Sequence, residues 1–308
     1  MATTTSITTT YAGEFAGKYI SAALLSADTI EGGGITIKPN VKYKEVMKTL
    51  STDAIVKDAT CDFSDTSTLT LAEKILQPEE FQVNLELCKS DFASDWEAIS
   101  MGYSAFDELP SNFADYLIGH VAAKVAQKTE QTIWTGATAN AGEFNGFGAL
   151  LAADGDVVDV TGTSVTAANV ITEMGKVVDA IPTSVYGKDD LYIYCSSNVA
   201  RAYVRALGGF GASGLGGNGL NAQGTTWFNN QDLAFDGVKI FVASGMADNT
   251  MVAAQKSNLF FGTGLLADHN EVKLLDMADL DGSKNVRVVM RYTAGVQIGI
   301  GADIVYYA

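Results

Sequence analysis

The sequence predicts an α+β fold, and three patterns carry that prediction. Residues 111–135 repeat apolar side chains at four-residue steps and are followed by Gly136, which indicates one long helix. Residues 50–93 alternate apolar and polar side chains, as strands with one apolar face do. From residue 236 to the C-terminus, short apolar strands dominate. In these three regions helix and strand fall in separate stretches, which is typical of the α+β class.

Composition narrows the class of protein further. The chain has 308 residues, 47% of them hydrophobic, and three cysteines without a C-x-x-C spacing, which fits a reducing cytoplasm. We expect no signal peptide and no membrane span, because the N-terminus lacks a basic head and no run of 18 apolar residues occurs. The net charge of −16 disfavours non-specific binding to nucleic acid.

The first 48 residues contain little that could form a core. Residues 1–10 are threonine-rich and predicted to be disordered, and residues 11–26 can form a short amphipathic helix. After the glycines at 32–34, the chain is expected to run extended as far as Pro39. We therefore expect an arm that packs on something else.

Residues 50–93 predict a long hairpin. Leu69 and Leu71 alternate with threonines, and residues 83–87 alternate in the same way. We expect these two strands to be joined around residues 77–80. A two-stranded hairpin is barely stable alone in water, so its apolar face should lie on a partner surface.

Residues 164–207 predict an α/β unit. A helix with apolar residues from Val170 to Ile181 ends at Pro182, and a buried strand follows at residues 191–195. Ser196 and Ser197 can cap the next helix.

That helix leads into a glycine-rich stretch, residues 208–219, which contains the spacing G-x-G-x-x-G twice. A dinucleotide site needs a strand before these glycines, a helix after them and an acidic residue about twenty positions on. Here a helix precedes them, and no apolar helical pattern follows them. The pattern favours a flexible loop, while a nucleotide-binding α/β enzyme remains an alternative.

No catalytic, metal or cofactor site is predicted. His120 falls inside the long helix as a satisfied or semi-buried residue, and His269 lacks a second histidine with which to form a metal site. The stretch 278–285 resembles a calcium loop at its centre, but Met277 and Val288 stand at its first and last ligand positions, so we expect a turn. Nucleophile-elbow and phosphate-loop motifs do not occur.

The order of these segments resembles the major capsid proteins of tailed bacteriophages. The stretches that carry the resemblance are TIEGGGITIKPNVKYKEVMKTL, LTLAEKILQPEEFQVNLELCKSDF, LPSNFADYLIGHVAAKVAQKTEQTIWTG, GKVVDAIPTSVYGKDDLYIYCSSNVARAYVRAL, NLFFGTGLLADHNEVKLLDM and VRVVMRYTAGVQIGIGADIVYY. The resemblance implies a tailed-phage capsid-type fold. Its expected parts are an N-terminal arm (1–48), an extended β-hairpin loop (49–95), a peripheral domain (96–150 and 236–308) with the spine helix 111–135, and an axial α/β domain (151–235) with the glycine loop.

The resemblance also implies a function. Such a protein is a structural subunit that self-assembles into hexamers and pentamers of an icosahedral shell enclosing double-stranded DNA. Portal and scaffold proteins, and in some shells decoration proteins, are the implied partners, with assembly in the host cytoplasm and a final location in the virion capsid. DNA would be held only weakly and non-specifically. A cellular nanocompartment shell of the encapsulin type is the alternative.

Charge is distributed unevenly along the first hundred residues. Residues 1–50 carry five lysines and four acids, whereas residues 51–100 carry three lysines and eleven acids. We expect opposite charges of these two stretches to meet between subunits. The candidate contact residues are Lys38, Lys42, Lys44, Lys48, Asp58, Asp62, Glu79 and Glu80.

Overall fold

A computed structural model describes residues 27–52, 55–59, 61, 65–89, 111–207, 233–264 and 271–308. Its helices are α1 (Asp28–Glu31), α2 (Ser111–Thr135), α3 (Phe147–Ala153), α4 (Val170–Asp179), α5 (Ser197–Leu207) and α6 (Ala278–Asp281). Its strands are β1 (Thr36–Lys38), β2 (Glu45–Thr52), β3 (Leu69–Leu76), β4 (Glu79–Cys88), β5 (Val158–Val160), β6 (Leu191–Ser196), β7 (Ala234–Phe235), β8 (Val238–Ala243), β9 (Met251–Gln255), β10 (Leu259–Thr263), β11 (Glu271–Asp276), β12 (Asn285–Ile298) and β13 (Val305–Tyr307). Short 3₁₀ turns occupy Lys256–Asn258 and Gly301–Asp303. Within the described ranges, no helix is long and apolar enough to cross a bilayer.

The predicted long helix is confirmed as α2. Leu117, Val121 and Val125 are buried along one side of it, as the four-residue repeat requires. They share a core with every second residue of β12, the longest described strand, and the sheet side of this core includes Val286, Val288, Met290 and Tyr292. The helix and the sheet therefore bury each other's apolar faces.

The first sheet is organised around β12. Strand β4 pairs along one edge of it, while β11 and β10 pair one after the other along the opposite edge. Strand β1 then adds to β10 in parallel. Strands that are far apart in sequence thus meet in one sheet, with Leu87 opposite Val286.

The predicted pairing of the hairpin is wrong. Residues 69–76 pair with β2, not with residues 79–88, which belong to the body of the protein as β4. The reason lies in the connection: Pro78 favours an extended conformation for Gln77 before it, so the chain continues forward instead of turning back. The hairpin that the structure does contain is β2–β3, and it begins within the stretch predicted to be the arm.

The second sheet has the order β5-β13-β9-β6-β8-β7 and is covered on both faces. Successive residues of β9 enter different cores: Met251 and Ala253 pack with helices α4 and α5, and Val252 packs with α2 and α3. The predicted α/β unit is confirmed, because α4, β6 and α5 occupy the expected positions and Val199 and Tyr203 are buried.

The start of the described chain packs in its own subunit. Ala27, Ile30 and Ile35 are buried in the core that contains α2. The expectation that residues 1–48 pack on something else is therefore wrong for residues 27–41, which find their partners in the same chain. Residues 1–26, with the predicted amphipathic helix, lie outside the described part.

Candidate functional site: the hairpin β2–β3

The two strands of the hairpin are in antiparallel register from Glu45 opposite Leu76 to Thr52 opposite Leu69. Each strand has eight residues and extends roughly 27 Å at about 3.4 Å per residue. Directly opposed residues share a face, and faces alternate along each strand. The register therefore determines which side chains stand together.

One face of the hairpin is apolar and open to solvent. Val46 lies opposite Ile75, and Leu50 lies opposite Leu71. We call this set the apolar hairpin face: Val46, Leu50, Leu69, Leu71 and Ile75, with exposures of 46%, 61%, 60%, 63% and 45%. Single exposed leucines are ordinary on protein surfaces, but five exposed aliphatic side chains on one face of a two-stranded sheet mark an interaction site.

One ion pair interrupts this face. Lys48 and Glu73 stand opposite each other between the two aliphatic pairs, with Nζ and Oε1 separated by 3.9 Å. Both side chains are more than half exposed, so the pair contributes at most about 1 kcal/mol to stability. The aliphatic residues dominate the chemistry of the face.

The root of the hairpin is held firmly against the body. Leu76 is fully buried and packs so closely on Gly262 that an added Cβ there would lie 2.9 Å from Leu76 Cδ2. Gln297 donates a hydrogen bond of 2.8 Å to the carbonyl of Ile75. The hairpin therefore leaves the body at a defined position.

A second contact at the root lies on the other face of the hairpin. Lys74 donates a hydrogen bond of 2.5 Å to Oδ2 of Asp154, which follows α3, and both side chains are mostly buried. The hydrogen bond from Lys74 is the main cause that lowers the pKa of Asp154 below its ordinary range. This ion pair connects the root of the hairpin to the residue that follows α3.

The predicted contact lysines separate into two groups. Lys38 pairs with Glu45 at 3.0 Å and its Nζ lies 5.7 Å from the centre of the Phe260 ring, and Lys48 has the partner described above. Lys42 and Lys44 are exposed, and neither has an ion pair with a described carboxylate, although Nζ of Lys44 lies 5.2 Å from the centre of the Tyr43 ring. The structure therefore leaves Lys42 and Lys44 as the lysines of this set most available to a partner.

The predicted contact acids lie at three places. Asp58 is exposed in the segment between β2 and β3, and Asp62 falls outside the described residues. Glu79 begins β4 opposite Ala294 and is half-buried, while Glu80 is exposed opposite Thr293. Among the described acids of this set, none forms an ion pair with Lys42 or Lys44 within one subunit.

The residues considered for catalysis have other roles or remain undescribed. His120 is exposed on α2 rather than semi-buried, because its position faces away from the sheet, and His269 lies outside the described residues. Burial raises the pKa of the Cys195 thiol to about 12, so little nucleophilic thiolate forms at neutral pH. In the stretch that resembles a calcium loop, Asp281 accepts a hydrogen bond from the amide of Ser283 and so closes the turn.

A metal or nucleotide site finds no support in the described part of the chain. No cluster of three His, Cys, Asp or Glu residues there could hold a metal ion. The glycine loop 208–219 lies outside that part, but the element that leads into it is the helix α5, as predicted, and not the strand that a dinucleotide loop needs.

Comparison with solved structures identifies the fold. The capsid of Myoviridae phage XM1 matches with a TM-score of 0.57 and 12% identity over 91% of both chains. The capsid of the native GTA particle matches with a TM-score of 0.57 and 13% identity, over 100% of this chain and 94% of that one. The chain has a phage capsid fold.

A third match agrees with this identification. The procapsid of satellite phage P4, described with its size determination (Sid) protein, has a TM-score of 0.52 and 10% identity, over 94% of this chain and 97% of that one. No protein-family model and no curated protein sequence matches the chain. The capsid fold predicted from the order of segments is confirmed, although sequence identity to these structures is very low.

Sequence reasoning missed the contact between Lys74 and Asp154. Lys74 stands among the alternating residues of β3, and Asp154 follows a short helix 80 residues later. The sequence signal that could have indicated this contact is a lysine on the polar face of the hairpin. Its partner, however, depends on how the capsid fold places α3.

Proposed function

We propose that this protein is a major capsid protein, the structural subunit of an icosahedral phage shell. Its capsid fold supports this proposal, and so does the chemistry of the hairpin. In the proposed assembly, copies of the chain form hexamers and pentamers. The role is structural and not enzymatic.

The apolar hairpin face is the observation that carries the proposal. Five aliphatic side chains, each roughly half exposed, stand on one face of a two-stranded sheet that is separate from the two larger sheets. Covering them with a neighbouring subunit would contribute about 1 kcal/mol or somewhat more per side chain, since full burial of such a residue contributes about 1.5–3 kcal/mol. Because every subunit repeats this contact, the sum over a closed shell is large.

The same face requires a particular kind of contact. A projecting element that inserts into a different surface of the next copy makes a head-to-tail interface, and such interfaces generate rings and closed shells. We infer that the hairpin lies on a neighbouring subunit. Lys42, Lys44 and the exposed acids Asp58 and Glu80 would then add weaker charge contacts, each contributing about 0.2–1 kcal/mol.

The remaining parts of the proposal follow from the resemblance to tailed-phage capsid proteins. The shell would enclose double-stranded DNA, which a subunit of net charge −16 would not bind strongly. Portal and scaffold proteins are the expected partners, with decoration proteins as a further class. Assembly would occur in the host cytoplasm and yield the virion capsid.

Expression with any required scaffold, followed by sedimentation and electron microscopy, tests the proposal. We expect capsomers or closed shells. Compact monomers under all assembly conditions would contradict it. Native particles that contain DNA would support the phage shell, whereas particles filled with an enzyme would identify a nanocompartment instead.

A further inference from the structure

Glu130 of α2 is an acidic residue that is almost completely enclosed. Only 4% of it is exposed. Its carboxylate accepts hydrogen bonds from the amide of Thr29 at 2.8 Å, from the hydroxyl of Thr29 at 2.6 Å and from the amide of Gly245 at 3.4 Å. The enclosing segments are α1 and the loop that follows β8.

This carboxylate holds the beginning of the described chain, residues 27–34, which we call the arm root. Trp134, one turn further along α2, donates a hydrogen bond of 2.8 Å to the hydroxyl of Thr29. At the other end of the arm root, the buried hydroxyl of Tyr194 donates to the carbonyl of Gly34. Thr29 is fully buried between these groups, so the Glu130 contact is central to the attachment.

The loop that follows β8 also lies close to Glu130. An added Cβ on Gly245 would lie 2.1 Å from the carbonyl oxygen of Glu130, so a residue without a side chain is required there. This approach brings the Gly245 amide to the carboxylate. An open groove of about 810 Å³ beside α2 is lined by Asp28, Glu130 and Gly245 among others.

The described groups around Glu130 do not neutralise the negative charge that its carboxylate carries when ionised. Among the described residues, no Lys, Arg or His lies within 4 Å of its carboxylate, and its three hydrogen-bond donors are neutral. The titratable groups that face it are Asp28 on α1 and Asp248 in the loop after β8, which lines the same groove; Gln127 and Gln131 of α2 are uncharged. Burial is the main cause that raises the pKa of Glu130; the hydrogen bonds from Thr29 and Gly245 offset part of this effect, and repulsion from Asp28 adds the smallest contribution.

We propose that the contact between Glu130 and Thr29 is a pH-responsive attachment of the arm root to the spine helix α2, stronger when Glu130 carries a proton and weaker when it is ionised. The enclosed site and the neighbouring acid favour the neutral carboxyl, whereas the hydrogen bonds from Thr29 and Gly245 favour the ionised form and only partly offset them. The proposal concerns a single subunit and does not depend on shell assembly.

The direction of the pH dependence follows from the coupling between proton binding and attachment of the arm root. When the arm root separates, Glu130 returns to its ordinary pKa of 4.5, which is lower than in the attached state. Attachment therefore takes up a proton, and its full strength is present below pH 4.5. The attachment weakens as pH rises from there through the raised pKa, by up to about tenfold per pH unit, and then reaches a plateau.

Hydrogen exchange of the Thr29 amide in the unassembled full-length protein tests the proposal. After correction for the intrinsic exchange rate, we expect protection to decrease with rising pH by up to about tenfold per unit and then to level off. Glu130→Gln, which keeps the shape of the side chain, should make protection independent of pH. Asp28→Asn should lower the pH at which the decrease levels off, because it removes the repulsion.

Glu143→Gln is the matched control. Glu143 pairs with Lys128 of the same helix, and hydrogen bonds led by that from Lys128 lower the pKa of Glu143 to about 2, so it does not titrate in this range. This variant should retain the wild-type pH dependence. Wild-type protection without pH dependence, or the same dependence in Glu130→Gln, would overturn the proposal. If Glu130→Gln does not fold, the titration of the Glu130 carboxyl in the wild type, followed by NMR, decides: a pKa at or below the ordinary 4.5 would overturn the proposal.

Discussion

Leu50 and Leu71 lie directly opposite each other across the hairpin, and more than 60% of each side chain is exposed. Five residues further along β3, Leu76 is completely buried against the body. The same strand therefore anchors at one end and offers aliphatic surface at the other. This contrast is what a projecting contact element needs.

Charging the apolar hairpin face should block assembly without unfolding the subunit. In Leu50→Asp with Leu71→Asp, two carboxylates would have to be buried against a neighbour, at a cost that exceeds the gain from the remaining aliphatic residues. We expect loss of shells by sedimentation, with a thermal midpoint close to that of the wild type. The control is Ser51→Asp with Thr70→Asp, an opposed and exposed pair on the other face. Equal loss of assembly in both variants would argue against a specific role of the apolar face.

Reversing the exposed lysines should impair assembly more moderately. We expect Lys42→Glu with Lys44→Glu to reduce shell yield at low salt while the melting temperature of the monomer barely changes. Raising salt should weaken wild-type assembly in the same direction, because charges at the surface are screened within about 8–10 Å. Lys42→Arg with Lys44→Arg keeps the charge and should assemble normally. Full shell yield from the reversed variant at low salt would refute the charge contact.

The ion pair at the hairpin root should contribute measurably to stability. Lys74→Met removes the partner of the mostly buried Asp154 carboxylate, and we expect a loss of about 1 kcal/mol in the free energy of unfolding, measured with denaturant. Lys48→Met changes an exposed lysine of the same hairpin and should stay within about 0.5 kcal/mol of the wild type. Similar effects of the two variants would contradict a special role of Lys74.

The same pair should also appear in the pH dependence of stability. Because the pKa of Asp154 is lowered in the folded state, its contribution is present above the ordinary value of 3.8 and is lost as pH falls through the lowered pKa. The difference in unfolding free energy between wild type and Lys74→Met should therefore shrink upon acidification below pH 3.8. A difference that grows in acid would have the wrong sign.

Thiol labelling should distinguish the three cysteines. Cys61 is exposed, Cys88 is half-buried and Cys195 is buried with its pKa raised to about 12. We expect an alkylating reagent at pH 8 to modify Cys61 first and Cys195 only after unfolding. Mass spectrometry of the labelled peptides measures this order. Rapid labelling of Cys195 in the folded protein would contradict its placement in β6.

Local patterns predicted the elements better than their partners. The four-residue apolar repeat and Gly136 were sufficient for α2, and Pro182 correctly limited α4. Strand pairing was harder to predict, because apolar and polar residues alternate in a similar way in β2, β3 and β4. This alternation does not indicate which of the three strands pair with each other. Strand β4 pairs with β12, about 200 residues away, because the two strands contribute to the same core.

The candidate site could likewise be predicted only in part from the sequence. The apolar face of β3 was visible in the alternation of Leu69 and Leu71, but its partner strand was not. The enclosure of Glu130 left no signal, because on a helix wheel it is one more polar residue of a long helix. Only the position of Thr29, a hundred residues earlier, makes it a buried group.

A high-resolution reconstruction of the assembled particle tests the central claim most directly. The quantity to measure is the solvent exposure of Leu50 and Leu71 in each subunit. We predict a closed shell in which both leucines lose most of their exposure against a neighbouring copy of the chain. An assembled shell in which both remain as exposed as in the single subunit would contradict this account.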